Sequence, residues 1–88
     1  MVEKSVKIIN KLGLHARPAA EFVKLAAKYK CDVYVSKNDR MVNGKSIMGV
    51  MTLAAEFGSE LELVADGVDE EFLIKEITEM FASKFGED

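Results

Sequence analysis

The sequence predicts an α+β domain in which helices cover one face of an antiparallel sheet. The chain has 88 residues, 49% of them apolar, which is enough for one domain with a modest core and too few for two. Apolar residues alternate with polar residues in four segments, as in half-buried strands, and three other segments favour helices. Their order is βαββαβα without a linker or repeat, so we expect residues 1–88 to form a single domain.

The first strand and the first helix are predicted from two different spacings of apolar residues. Residues 2–9 alternate and predict a strand, and residues 10–13 turn the chain. From Ala16 to about Lys28 apolar residues recur at helical spacing. Pro18 lies in the first turn of this helix, where it is tolerated because first-turn amides have no partner within the helix.

The middle of the chain predicts a hairpin and a short helix. Residues 32–37 alternate, and Asn38-Asp39 provides a tight turn into a strand over residues 40–42. Ser46 precedes an apolar group and is a favoured cap residue, so a short helix should begin beside it. Gly49 within that helix disfavours it.

The last strand and helix are separated by a second turn. Residues 60–65 alternate, Asp66-Gly67 turns, and Asp69 is expected to cap a helix that ends at Gly86. The apolar stripe of this helix consists of Leu73, Ile74, Ile77, Met80, Phe81 and Phe85.

The composition excludes several classes of protein. Cys31 and His15 are the only cysteine and histidine, too few for an internal disulfide or a four-ligand zinc site. No apolar run approaches the ~20 residues that span a bilayer. We therefore expect a soluble, cytoplasmic protein without a metal, a cofactor or membrane insertion. Acidic residues near the last turn are explained by that turn and the helix start: Asp66, Asp69, Glu70 and Glu71.

Charge is distributed unevenly along the chain. The first 45 residues hold ten Lys/Arg and four Asp/Glu, and the remainder holds two and eleven. This asymmetry indicates a basic face for acidic partners, although solvated surfaces on opposite sides explain it equally well. Nucleic-acid binding is a weaker hypothesis, because the lysines are scattered and lack interleaved aromatic residues.

The only histidine lies where the first helix begins. An anion is favoured there by the helix dipole and by the free amides of Ala16 and Arg17; Pro18 has no N–H to donate. The Arg17 guanidinium also suits phosphate oxygens. The positive helix end should disfavour imidazolium, which leaves a neutral ring nitrogen of His15 as a nucleophile. Phosphoryl transfer needs little beyond such positioning and charge stabilisation. The alternative is a histidine that only caps the helix.

Ser46 is the second candidate for chemistry. It is explained as a helix cap, but a phosphate at a helix N-terminus is electrostatically compatible with the fold. Three apolar residues follow it and form either an adaptable docking surface or part of the core: Ile47, Met48 and Met51. Gly44-Lys45-Ser46 is not a P-loop, because Asp39 stands where that motif needs glycine.

Two motifs, Gly-Leu-His-Ala-Arg-Pro-Ala-Ala over residues 13–20 and Lys-Ser-Ile-Met-Gly-Val-Met over residues 45–51, resemble those of the HPr family. These proteins are the histidine-containing phosphocarriers of the bacterial phosphoenolpyruvate:sugar phosphotransferase system. The likeness covers nearly the full chain. It implies an open-faced β-sandwich, with a four-stranded antiparallel sheet covered on one face by three helices.

The resemblance also implies roles. His15 would accept a phosphoryl group on Nδ1 from phosphorylated enzyme I and pass it to an enzyme IIA domain, with Arg17 steadying the group. Ser46 matches the site that HPr kinase/phosphorylase modifies in the regulatory branch, which involves a catabolite-control transcription factor. The docking patch of the family matches Ile47, Met48 and Met51.

Two hypotheses therefore stand side by side. The first is a monomeric phosphocarrier, not an enzyme that turns over alone; the second is a regulatory binding module in which Ser46 matters and His15 is incidental. Residues 10–13 and 85–88 also resemble the nitrogen-related branch of the family, which leaves the pathway open. Asn38-Asp39 and Ala54 depart from Asn-Gly and glycine in many members.

Overall fold

The computed structural model describes residues 1–87, and Asp88 lies outside the described residues. The elements, in chain order, are β1 Val2–Lys7, α1 Ala16–Ala26, β2 Asp32–Lys37, β3 Arg40–Asn43, α2 Ile47–Met51, β4 Glu60–Asp66 and α3 Glu70–Ala82, followed by a 3₁₀ turn Lys84–Gly86. The predicted order βαββαβα is confirmed.

The four strands form one antiparallel sheet with the order β1-β4-β2-β3. The central strand β4 pairs with β1 through Val6 and Leu61, and with β2 through Leu63 and Val35. Only β2 and β3 are joined as a hairpin. The predicted α+β fold, an open-faced β-sandwich, is therefore confirmed.

The core lies between one face of the sheet and the helices. Alternate strand residues are buried on this face, among them Val33 and Val35 from β2 and Leu61 and Leu63 from β4. Buried residues of the helices pack over them, led by Phe22, Leu73, Ile77 and Phe81. The rings of Phe22 and Phe81 meet edge to face at 6.1 Å, which ties α1 to α3.

Two predicted helix ends differ from the structure. Helix α1 ends at Ala26 and not near Lys28, because the amides of Lys28 and Tyr29 bond to carbonyls three residues back and tighten the last turn. Helix α3 ends at Ala82 and not at Gly86. The chain then takes left-handed conformations, with φ of 59° at Lys84, 55° at Phe85 and 75° at Gly86.

Asp69 precedes α3 as predicted, but its side chain does not cap the helix. Its carboxylate instead accepts hydrogen bonds from the backbone amides of Lys30 and Cys31, at 2.8 and 3.0 Å. The carboxylate of Glu70 accepts from the Gly67 amide at 2.9 Å. The predicted cap residue therefore ties the α1–β2 connection to the start of α3.

Within residues 1–87, no helix is long and apolar enough to cross a membrane. The same part of the chain has no group of three or more His, Cys, Asp or Glu side chains arranged to hold a metal ion.

Candidate functional site

His15 is the N-cap residue of α1, and its imidazole remains available. Its backbone is extended, with φ −79° and ψ −170°, and its side chain makes no capping hydrogen bond. His15 therefore occupies the N-cap position without capping the helix through its side chain, and its chemical role stays a prediction. The side chain is 36% exposed. The first helical bond runs from the Ala19 amide to the His15 carbonyl at 3.0 Å, so the amides of Ala16 and Arg17 have no acceptor within the helix.

A carboxylate from the other end of the chain lies against the imidazole. Oε2 of Glu87 is 2.7 Å from Nε2 of His15, across a separation of 72 residues. The same oxygen accepts from Arg17, at 3.2 Å from Nε and 3.0 Å from Nη2. The Glu87 side chain is only 15% exposed. His15 and Arg17, which the sequence placed together, thus meet on a shared anion.

Asn10 holds this carboxylate in place by a hydrogen bond. Its side chain is fully buried, and Nδ2 donates to Oε1 of Glu87 at 2.9 Å and to the Gly13 carbonyl at 2.7 Å. Burial by itself would raise the pKa of Glu87, but hydrogen bonds from Asn10, His15 and Arg17 outweigh it and hold the pKa below the ordinary range. Glu87 is therefore an ionised carboxylate at neutral pH.

Arg17 is held by a second acceptor. Its Nη2 donates to the backbone carbonyl of Phe85 at 2.6 Å. Phe85 is itself buried, with its ring 4.8 Å from that of Phe81. The guanidinium is therefore fixed beside the N-terminus of α1 by a segment that is packed into the core.

Ser46 is the N-cap of α2, as predicted. Its Oγ accepts a hydrogen bond from the Gly49 amide at 3.1 Å. The preceding residue, Lys45, donates from Nζ to the Tyr29 carbonyl at 2.8 Å, which ties the start of α2 to the connection after α1.

The predicted docking residues are exposed, so the alternative that they belong to the core is wrong. Ile47, Met48 and Met51 are 43%, 79% and 43% exposed. Met51 lines a shallow depression together with His15, and the exposed side chains of Leu12 and Phe57 line it as well. We call Leu12, Ile47, Met48, Met51 and Phe57 the apolar patch. Its members Leu12, Met51 and Phe57 line the depression that contains His15.

Sequence reasoning missed four of these contributors: Glu87, Asn10, Leu12 and Phe57. The contacts of Glu87 depend on the left-handed turn after α3, for which the sequence offers only Gly86 as a signal. Leu12 and Phe57 are single apolar residues in loops and carry no periodicity. Asn38, which precedes the departure at Asp39, and Ala54 both take positive φ, 57° and 48°.

Together these features describe a small α+β domain with a partly exposed histidine, an arginine and a helix N-terminus at a single surface. This combination is typical of a histidine phosphocarrier. The family model for the PTS HPr component phosphorylation site matches residues 2–83. The chain belongs to the HPr family of phosphocarrier proteins of the phosphotransferase system.

Individual relatives are similar to this chain over most or all of its length. The phosphocarrier protein HPr of Neisseria meningitidis serogroup A is 49% identical over 87 residues, which cover 99% of this chain and 98% of that protein. The crystal structure of HPr-C-His from Thermoanaerobacter tengcongensis superposes with a TM-score of 0.96 at 48% identity, covering 100% of this chain and 99% of that one. The HPr-like protein Crh of Bacillus subtilis is 44% identical over 77 residues, covering 88% of this chain and 91% of that protein.

Proposed function

We propose that this protein carries a phosphoryl group on His15 between phosphorylated enzyme I and enzyme IIA domains. The observation that carries the proposal is the exposed imidazole at the N-terminus of α1, with the Arg17 guanidinium bound to the same carboxylate oxygen. An anion placed on this ring meets unpaired helix amides and a fixed cation, the groups that stabilise a phosphoryl group.

The transfer step needs no cofactor. The lone pair of Nδ1 forms a bond to phosphorus while the bond between phosphorus and the donor breaks, and that electron pair leaves with the donor. Arg17 and the amides of Ala16 and Arg17 stabilise the charge on the transferring oxygens. The reverse sequence at an enzyme IIA domain regenerates free His15, so the protein is a covalent intermediate and not an enzyme that turns over alone.

The apolar patch supplies the docking surface in this proposal. Ile47, Met48 and Met51 present exposed side chains that adapt to different partner shapes, and Met51 lines the same depression as His15. One monomer would therefore dock enzyme I and the enzyme IIA domains in turn at the same face. We place the protein in the cytoplasm, where those partners meet.

The test is phosphorylation with phosphoenolpyruvate and purified enzyme I. We expect one acid-labile phosphate per chain, its loss in His15→Ala, and its retention in Ser46→Ala. The matched serine variant controls for damage to the docking surface, because Ser46 caps the helix that carries the patch. Label that survives in His15→Ala would refute the assignment.

A second function at Ser46 is supported by a separate observation. Ser46 caps α2 directly beside Ile47 and Met48, so a phosphate there would add about two negative charges to the edge of the apolar patch. Such a charge would change partner choice without unfolding the helix. In this proposal HPr kinase/phosphorylase modifies Ser46, and the modified face binds a catabolite-control transcription factor.

Incubation with ATP and an HPr kinase distinguishes this function from the first. We expect an acid-stable phosphoserine that is absent from Ser46→Ala and present in His15→Ala. Binding of the transcription factor should require the phosphoserine and tolerate His15→Ala. An unmodified Ser46 would remove the regulatory proposal and leave the phosphocarrier intact.

A further inference from the structure

The carboxylate of Glu87 contacts the ring nitrogen opposite the one that accepts phosphate in the proposed function. Its Oε2 lies 2.7 Å from Nε2 of His15, and among residues 1–87 no hydrogen bond is formed by Nδ1. Asn10 and Arg17 hold the two carboxylate oxygens in place, and the side chain is 15% exposed. The contact is therefore built from three sides and is partly buried.

This geometry fixes where the ring proton sits. An ionised carboxylate only accepts hydrogen bonds, so the nitrogen facing it must be the donor. Because a neutral imidazole carries one proton, Nε2–H leaves the lone pair on Nδ1. The arrangement thus presents a nucleophilic Nδ1 to the donor.

Phosphoryl transfer then places a positive charge on the ring. When Nδ1 bonds to phosphorus and the donor takes the electron pair of the broken bond, Nε2 still carries its proton, so the ring becomes a phosphorylated imidazolium. A carboxylate at hydrogen-bond distance stabilises that cation and retains the proton. On the return step the ring departs from phosphorus as neutral imidazole; without the proton it would have to leave as an anion.

We propose that Glu87 is a positioning residue for phosphoryl transfer: it holds the His15 ring with its proton on Nε2 before, during and after phosphorylation. This inference rests on the proposed function and adds a role for a residue near the other end of the chain. Glu87 acts through the ring and does not touch phosphorus.

Apart from Glu87 itself, the charged groups around the ring stay unchanged in the test. Arg17 comes from α1, Glu87 follows the turn after α3, and Lys11 and Glu56 line the depression that His15 shares. Glu87→Gln keeps the shape and an acceptor oxygen but removes the charge. Glu79→Gln makes the same charge change on an exposed position of α3 and is the matched control.

The experiment measures transfer from phosphorylated His15 back to dephosphorylated enzyme I by rapid quench. At pH 8 we expect Glu87→Gln to reduce the maximal rate about tenfold, with the half-saturating enzyme I concentration unchanged. The reason is that one nearby charge changes the proton affinity of a neighbouring group by about this factor. At pH 5.5 the variant should come within about twofold of the parent, since solution protons replace the effect of the carboxylate. Glu79→Gln should match the parent at both pH values.

Equal rates at pH 8, or an equal loss at both pH values, would overturn the inference, the latter because it indicates a purely structural role. Nitrogen NMR of the unmodified protein gives an independent check: the ring proton must be on Nε2, and a proton on Nδ1 refutes the assignment. These outcomes are separate from the proposed function, which is tested by whether the parent accepts phosphate and His15→Ala does not.

Discussion

Gly13 should be intolerant of even one added carbon. It has φ of +69°, and a Cβ built there would lie 2.6 Å from the Ala55 carbonyl oxygen and 3.0 Å from the Glu56 Cα. That same carbonyl accepts the hydrogen bond of the Leu14 amide at 2.8 Å. In Gly13→Ala the backbone must move, and the bond that fixes the residue before His15 is distorted.

The magnitude follows from two costs and one offset. A left-handed alanine costs about 1–2 kcal/mol, and the strained hydrogen bond and contact add about 1–2 kcal/mol. Reduced freedom of the unfolded chain returns about 0.4–1 kcal/mol. We therefore expect Gly13→Ala to lower the free energy of unfolding by about 2–3 kcal/mol, or about 8–24 °C in Tm for a domain of this size.

Gly58 provides the matched control. It also has positive φ, +87°, but a Cβ there meets nothing within 4 Å. Gly58→Ala should therefore cost only the backbone contribution less the unfolded-chain offset, about 0.5–1 kcal/mol. Urea unfolding followed by circular dichroism measures both variants against the parent. If the two variants agree within about 0.5 kcal/mol, the close approach to Ala55 does not constrain this loop and the reasoning is refuted.

Three further predictions concern single side chains. Burial, followed by the nearby Asp69, raises the pKa of the Cys31 thiol to about 11. At pH 8 iodoacetamide should therefore modify the native protein at least about a hundredfold more slowly than the urea-unfolded protein. The free energy of unfolding should fall as pH rises from about 9 to 11, because the thiol ionises first in the unfolded chain. Ser46→Ala removes the bond from the Gly49 amide and should cost about 1 kcal/mol in urea unfolding, whereas Ser46→Asp should retain most of that stability. Ala54→Gly relieves a φ of 48° and should raise the free energy of unfolding by about 0.5–1 kcal/mol; a decrease would show that this alanine is not strained.

The sequence alone was sufficient to predict those features that depend on residues close together in the chain. Alternation over residues 32–37 predicts β2 with its observed bounds, because strand sidedness repeats every second residue. Ser46 is recognisable as a cap because the capping bond spans three residues. His15 and Arg17 could be placed together for the same reason: both belong to the first turn of α1 and its cap.

Prediction failed where a local signal competes with a distant partner. Asp69 has the right type and position for a cap, but the Lys30 and Cys31 amides bind its carboxylate instead. Glu87 could not be recognised as part of the site, because its contact with His15 requires the whole core to be assembled and the chain to turn back after α3. The roles of Arg17, Ser46 and the apolar patch in binding partners stay predictions.

The strand order also determines when the protein can fold during its synthesis. The last strand made, β4, lies between β1 and β2 in the sheet. These two strands therefore cannot be joined into one sheet until residues 60–66 have left the ribosome. Before that point only the β2–β3 hairpin can form its native pairing. The nascent chain must therefore stay open for most of its translation, and a ribosome-bound fragment that stops at Gly58 should bind a chaperone or be cleaved by protease far more readily than one that includes β4.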